Sequence, residues 1–365
     1  MRAEPQQSAA RQAAAQAHLA AAREPGAVGP GSSAEELRTA YLDLLKLALC
    51  DLAGSSTVSV GAMPDGSVVS RQLRGEARQV RSAGMDWPLQ GLTMVGLGRL
   101  DDLQACVETV VAEDVEGDLI EAGAWRGGAG MFMRAVLNTL GDERTVHVAD
   151  SFQGFAADGD GDPDAASLSS FDFLAVPLEE VRDSFARLGL DRGVEFVPGF
   201  FEDTLAGLAG RRWSLVRLDG DTYASTREAL RWLYPGLSAG GYLIVDDYGS
   251  FEGCREAVEE FRARHEIEDP LEQVDSTCFR WRRTSETPPV ERPEPPATRE
   301  TARAPRTVPR PRETHVPTAQ EVDLEQRLAQ LRARLEAAEA ELARLRAAPW
   351  RGPQAWLRRK VGAGR

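Results

Sequence analysis

Between residues 91 and 283 the chain alternates short apolar runs with longer stretches in which apolar positions recur every three or four residues. The short runs are DLIE from Asp118, TVHVAD ending at Asp150, VEFVPG ending at Gly199, SLVRLDGD around Asp219 and GYLIVDD ending at Asp247. Each is a strand by length and composition. Between them lie GAGMFMRAVLNTL, LEEVRDSFARLG, STREALRWLY and CREAVEEFRARH, whose apolar period is that of an amphipathic helix. Strands alternating with helices predict parallel pairing in an α/β, doubly wound, Rossmann-like sheet. In such sheets a ligand sits at the carboxyl ends of the strands, so the last residues of each run are where chemistry is expected.

Upstream, SAEEL from Ser33 has the spacing of a capping box and opens a helix through AYLDLLKLALCDL. The Gly/Ser-rich, arginine-rich stretch from Gly54 to Trp87 predicts a mobile flap or lid. Residues 1–33 are Ala-, Gln- and Gly-rich without a clear apolar stripe and predict a disordered lead-in. The domain is therefore expected over residues 34–283. Residues 284–320 carry nine prolines and no apolar periodicity, a semi-extended linker. Residues 321–347 place Leu324, Leu328, Leu331, Leu335, Ala338, Leu342 and Leu345 at alternating spacings of four and three, a short coiled coil that needs a partner helix. That seam predicts a homo-oligomer. Residues 348–365 form a basic tail with Trp350 and Trp356.

Composition narrows the classes. A formal net charge of -14 argues against a nucleic-acid partner. The apolar fraction of 42% is that of a soluble globular protein, no run of about 18 apolar residues offers a membrane span, and the N-terminus lacks the apolar core of a secretory signal. A cytoplasmic location is expected. Cys50, Cys106, Cys254 and Cys278 are isolated in sequence, as buried thiols of a reducing compartment would be.

The candidate chemistry begins at the first strand, which ends in Glu121 followed by AGAWRGGAG. An acid at a strand end and glycines that let backbone approach a ligand at a helix N-terminus suit a nucleotide-like cofactor. The second strand ends in Asp150, where a carboxylate can accept ribose hydroxyls. With only Lys46 and Lys360 in the chain, no Tyr-x-x-x-Lys pair and no G-K-[ST] exist, which disfavours hydride and phosphoryl transfer. Asp219 and Asp221 end the fourth strand, and Asp246 and Asp247 end the fifth. Strands pair about 5 Å apart, so these carboxylates converge. Their mutual repulsion is relieved by a hard divalent cation with oxygen ligands, although aspartates at strand ends also serve simply as helix caps. His147 lies inside a strand and reads as a core residue.

Six segments together resemble the macrocin O-methyltransferase family of bacterial sugar O-methyltransferases. They are TMVGLGRLDDL from Thr93, EAGAWRGG from Glu121, VADSFQG from Val148, VPGFFEDTL from Val197, RLDGDTYAST from Arg217 and LIVDDY from Leu243. Ala124 and Phe200 depart from that pattern, where Val and Trp are usual. The resemblance covers roughly residues 35–283 and implies a class I fold with S-adenosylmethionine as methyl donor and magnesium or a similar ion. It implies cofactor contacts from Glu121, Gly123, Asp150 and Ser151, with Thr93, Met94, Gly199 and Phe200. It implies metal ligands Asp219, Asp246 and Asp247, and Asp221 as the general base.

The expected activity is methylation of a sugar hydroxyl on a glycosylated metabolite, nucleotide sugar or glycan. A catechol-type acceptor would present the same pair of chelatable oxygens. A methyltransferase-like scaffold docked through its coiled coil is the non-enzymatic alternative.

Overall fold

A computed structural model describes residues 28–62, 68–156 and 163–285; the expected lead-in, apart from residues 28–33, and the expected coiled coil and basic tail lie outside these residues, as does all but the first two residues of the linker. The chain opens with α1 (Ala34–Leu49). Its capping box is complete: Ser33 Oγ accepts the Glu36 amide at 3.2 Å, and Glu36 accepts the Ser33 amide at 2.7 Å. Within the stretch expected as a mobile flap or lid, the described residues form paired β structure. Here β1 (Ser56–Ala62) pairs antiparallel with β2 (Val68–Arg74) and with the short β3 (Trp87–Pro88), and α2 (Gln79–Ser82) lies between β2 and β3. Its glycines and serines masked an alternating pattern in which Val60 and Leu73 turn inward and are buried.

The main layer follows: α3 (Gly96–Ala112), β4 (Asp118–Ala122), α4 (Gly128–Leu140), β5 (Val146–Asp150), α5 (Pro163–Leu168), α6 (Leu178–Arg187), β6 (Val194–Pro198), α7 (Phe201–Thr204), β7 (Trp213–Leu218), α8 (Tyr223–Leu233), β8 (Leu237–Val245), α9 (Glu252–Arg264), β9 (Glu272–Gln273) and β10 (Phe279–Arg282). These strands make a seven-stranded sheet in the order β6-β5-β4-β7-β8-β10-β9. β6, β5, β4, β7 and β8 are parallel, as the alternation of strands and helices predicts. β10 runs antiparallel to β8, and the sequence reading did not foresee that strand.

Both sheet faces are covered, so strand residues are apolar on both sides. Leu119, Val146, Val148, Leu215 and Ile244 face the layer containing α1, α3, α4 and α6, while Ile120, Val216, Leu218, Leu243 and Val245 face the layer of α8 and α9. The register places Ala122 opposite both Ala149 and Leu218, and Leu218 opposite Val245. The residues that follow, Gly123, Asp150, Asp219 and Asp246, therefore leave the sheet at one level. All four cysteines are buried and free, and burial pushes the thiols of Cys50 and Cys106 up to about 12. Among the described residues no helix is long and apolar enough to cross a membrane.

Candidate active site

A cleft of about 1470 Å³ opens above that level, roofed by Val60, Leu73 and Trp87 of the small sheet. Its floor begins at the loop between β4 and α4. Gly123 has φ 96°, and a Cβ there would stand 1.8 Å from the Asp219 carbonyl oxygen, so no other residue lets the ends of β4 and β7 approach so closely. The loop is fastened by Asp150. Its Oδ2 accepts the amides of Ala124 at 2.7 Å and Trp125 at 3.0 Å, and its Oδ1 accepts the amide of Phe152 at 2.7 Å. Burial raises the Asp150 carboxyl above the usual range while these amides pull it back. Oδ2 is thus taken up by the loop, while Oδ1 has the Phe152 amide and a longer contact from the Ser151 hydroxyl at 3.4 Å, which makes Oδ1 the more loosely held oxygen. From the other side Arg126 stacks 4.2 Å over Trp125 and donates to the carbonyls of Pro88, Leu89 and Gly91, joining the loop to the cleft roof.

At the centre lies Arg217 of β7, only 2% exposed. Its Nη1 donates to Glu121 Oε1 at 2.8 Å and to Asp219 Oδ2 at 2.7 Å, and its Nη2 donates to Asp246 Oδ1 at 2.5 Å. Asp246 gives its other oxygen to Arg99 of α3. Arg99 in turn reaches Asp275 Oδ2 at 2.7 Å and Thr277 Oγ1, both on the turn between β9 and β10. Side chains alternate at a strand end. Asp246 accordingly turns toward Arg217 and α3, whereas Asp247 turns toward Asp219 and Asp221.

Asp219, Asp221 and Asp247 can each bring an oxygen within 4.8 Å of the others. Asp221 sits at the apex of a tight turn closed by a 2.6 Å bond from the Thr222 amide to the Gly220 carbonyl, with φ 59°. This is the strained hand of the γ-turn, and Trp125 and Phe152 at the ends of β4 and β5 also have positive φ. Backbone strain of about 1–3 kcal/mol per residue is gathered at the cleft.

The electrostatics follow from this crowding. Burial pushes the carboxyls of Asp221 and Asp247 well above the ordinary range, and the neighbouring aspartates push them further. Burial also raises Asp219, which Arg217 partly offsets, and holds Glu121 up at about 8 despite the same guanidinium. Oδ2 of Asp247 is buried without a hydrogen-bond donor among the described residues. An all-oxygen donor set, mutual repulsion and a buried oxygen lacking a donor fit a hard divalent cation.

Of the residues singled out from sequence, Thr93, Met94, Glu121, Gly123, Asp150, Ser151, Phe200, Asp219, Asp221, Asp246 and Asp247 all line this one cleft. Gly199 lies at its edge, where its amide donates to the Asp150 carbonyl at 2.9 Å. Asp246 is the residue whose surroundings differ from the expected role, since both its oxygens are on guanidiniums and not on the carboxylate trio. His147 is buried with Asp118 and Glu195 at 3.3 Å, away from the cleft, as its place inside a strand predicts. Arg99 and Arg217 were missed as site residues. The visible signal for Arg217 was a charged residue inside an otherwise apolar strand.

The strand order with its one antiparallel insertion, and a glycine loop feeding an acid-lined cleft, define a class I methyltransferase. Comparison with known proteins narrows the class. The sequence profile described as macrocin O-methyltransferase matches residues 39–283. A Streptomyces olivaceus enzyme named as an 8-demethyl-8-(2,3-dimethoxy-alpha-L-rhamnosyl)-tetracenomycin-C 4'-O-methyltransferase is 46% identical over 261 residues, 69% of this chain and 95% of that enzyme. The mycinamicin III 3''-O-methyltransferase of Micromonospora griseorubida is 40% identical over 253 residues, 67% of this chain and 96% of that enzyme. The solved structure of the O-methyltransferase NovP superposes with a TM-score of 0.61 at 40% identity, covering 68% of this chain and 100% of that one. The chain belongs to the macrocin O-methyltransferase family and is an O-methyltransferase.

Proposed function

We propose that the protein transfers a methyl group from S-adenosylmethionine to a sugar hydroxyl of a glycosylated metabolite, with a divalent ion at Asp219 and Asp247. The observation that carries this is the convergence of Asp219, Asp221 and Asp247 at the edge of the cleft that also contains the Glu121–Gly123 loop. Charge balance supports the pairing of ion and cofactor. Glu121, Asp219, Asp221, Asp246, Asp247 and Asp275 outnumber the Arg99 and Arg217 guanidiniums among them, and a divalent cation and a sulfonium would offset that surplus of negative charge.

When bound, the ion lowers the cost of deprotonating a sugar hydroxyl, a very weak acid, and holds it in place. The protein does the rest. Gly123 and the loop amides admit the cofactor, and Asp150 fixes that loop while offering Oδ1 to a ribose hydroxyl. Thr93, Met94, Ser151 and Phe200 line the same side of the cleft. Asp221, half-buried at the apex of its turn beside Asp219 and Asp247, accepts the hydroxyl proton. The acceptor oxygen forms its bond to the methyl carbon as the carbon–sulfur bond breaks, giving a methyl ether, S-adenosylhomocysteine and a protonated Asp221.

The named substrates of the relatives are glycosides, which favours a sugar over a catechol acceptor. The deciding experiment is a screen of glycosides, nucleotide sugars and catechols with methyl-labelled S-adenosylmethionine and magnesium. Label transfer to glycosides supports the proposal, and transfer to catechols alone removes it.

A further inference from the structure

Trp87 is the bulkiest side chain of the cleft roof, and the strand that bears it is gripped at both ends by a guanidinium. On one side stands Arg81 of α2, which is fully buried. Its Nε and Nη2 donate to the two oxygens of Asp86 at 2.8 and 2.6 Å, and Nη2 also reaches the Val58 carbonyl at 3.1 Å. On the other side Arg126 of the glycine loop places a single nitrogen, Nη1, on the carbonyls of Pro88 at 3.3 Å, Leu89 at 2.9 Å and Gly91 at 2.8 Å. Three carbonyls converge on one atom because the chain doubles back at Gly91, where a Cβ would stand 2.8 Å from that of Pro88. Between the two grips β3 pairs with β1, with Trp87 opposite Val60.

The ring itself is held as well. Its centroid lies 5.0 Å from that of Phe173 and 5.3 Å from that of Phe171, and the Phe173 carbonyl accepts Nε1 of Trp125 at 2.9 Å. Trp125 and Arg126 are consecutive in the glycine loop, so this loop fastens both the strand that carries Trp87 and the aromatic pair beside its ring. Trp87 is outside the set of residues assigned to the cofactor, yet it lines the same cleft as the acid trio. A fixed aromatic face there buries apolar surface of a bound molecule at little cost in side-chain entropy. We propose that Trp87 is an acceptor-binding residue and Arg126 a positioning residue that holds it in place. The loop that admits the methyl donor then also sets the wall against which the acceptor rests. This rests on the functional reading given above.

The test is steady-state kinetics of the full-length protein on a glycoside that takes label in the screen above, with S-adenosylmethionine and magnesium saturating. Calorimetry with S-adenosylhomocysteine runs beside it. Trp87→Leu and Arg126→Met are each expected to raise the acceptor KM about tenfold, the scale of a lost aromatic contact. Turnover and S-adenosylhomocysteine affinity should stay near those of the parent protein. Arg126→Lys offers three N–H donors to the three carbonyls and should return KM to near the parent value. The double variant should lose no more than Trp87→Leu alone, since both changes act through one ring, whereas general loosening of the fold would add.

Thermal melts establish that each variant is folded; if Arg126→Met is not, Trp87→Leu and Arg126→Lys decide. An unchanged acceptor KM in Trp87→Leu, or a raised one in folded Arg126→Lys, overturns the proposal. Additive losses in the double variant overturn it too, as does a fall in S-adenosylhomocysteine affinity as large as the rise in KM. Each of these leaves the functional reading intact. If no glycoside takes label in the parent protein, that reading falls and this proposal with it.

Discussion

Arg217 Nη1 stands 2.8 Å from Glu121 Oε1, and both side chains are almost wholly buried, one from each of two adjacent parallel strands. Glu121 belongs to the glycine-loop side of the cleft, and Arg217 carries the contact onward to Asp219 and Asp246. The two halves of the proposed chemistry therefore share one buried cation. A buried charge is costly unless paired, and here three carboxylates depend on the same guanidinium.

Arg217→Met should destabilise the protein by about 3–5 kcal/mol, because it leaves Glu121, Asp219 and Asp246 without their shared partner. Chemical denaturation measures this directly. Arg217→Lys should recover part of the loss, since it restores the charge without the geometry that serves three acceptors. Parent-like stability in Arg217→Met would remove the hub from the account.

Asp246 and Asp247 are neighbours in sequence with opposite expected behaviour. Asp247→Asn removes a carboxylate held among like charges, so stability of the metal-free protein should hold or rise while magnesium-dependent turnover nearly disappears. Asp246→Asn strips an acceptor from two guanidiniums and should lower stability by about 1–3 kcal/mol. In the parent protein EDTA should abolish turnover and magnesium restore it. Full activity in EDTA after exhaustive dialysis would exclude the ion.

Asp221→Asn should cut turnover by roughly a hundredfold or more, the scale of a lost general base, while metal and cofactor binding stay near parent values. Asp219→Asn should weaken metal binding as well. Equal loss of metal in the two variants would make Asp221 a ligand and not the base.

Asp150→Ala should weaken S-adenosylmethionine binding by about one to two powers of ten, through the loop amides it releases as much as through a lost ribose contact. Calorimetry gives the affinity, and a denaturation curve shifted by about 1–3 kcal/mol would report the freed Ala124 and Trp125 amides. An unchanged isotherm would place the cofactor elsewhere.

Truncation after Ser285 should leave activity on a soluble acceptor intact and reduce the mass seen by light scattering, because the leucine seam from Leu324 to Leu345 is removed. An unchanged mass would end the coiled-coil reading.

Much of this architecture was legible because it rests on periodicity. The helix GAGMFMRAVLNTL coincides with α4 to the residue and the strand read as ending at Asp150 does end there, whereas β8 stops at Val245, two residues short of Asp247. β10 was hidden because FRWR, though it alternates, is only four residues long; its arginines lie over Tyr242 and pair with acids, so their aliphatic stems add to the packing. The small sheet was hidden by glycine and serine content. The acid trio was legible as a cluster, but its division was not. Both oxygens of Asp246 meet Arg99 and Arg217, and Arg99 lies 147 positions from Asp246.

The tether between Arg99 and the turn at Thr277 spans 178 positions of chain. A ribosome that has made the glycine loop and all the clustered aspartates has still to make the turn that holds Arg99 in place. The site is thus assembled from both ends, and its last electrostatic partner arrives when folding of the domain is nearly complete. Long-range closure of this kind slows folding and makes it cooperative. A chain cut short before Asp275 would keep those acids but lack the carboxylate that bonds Arg99 beside them.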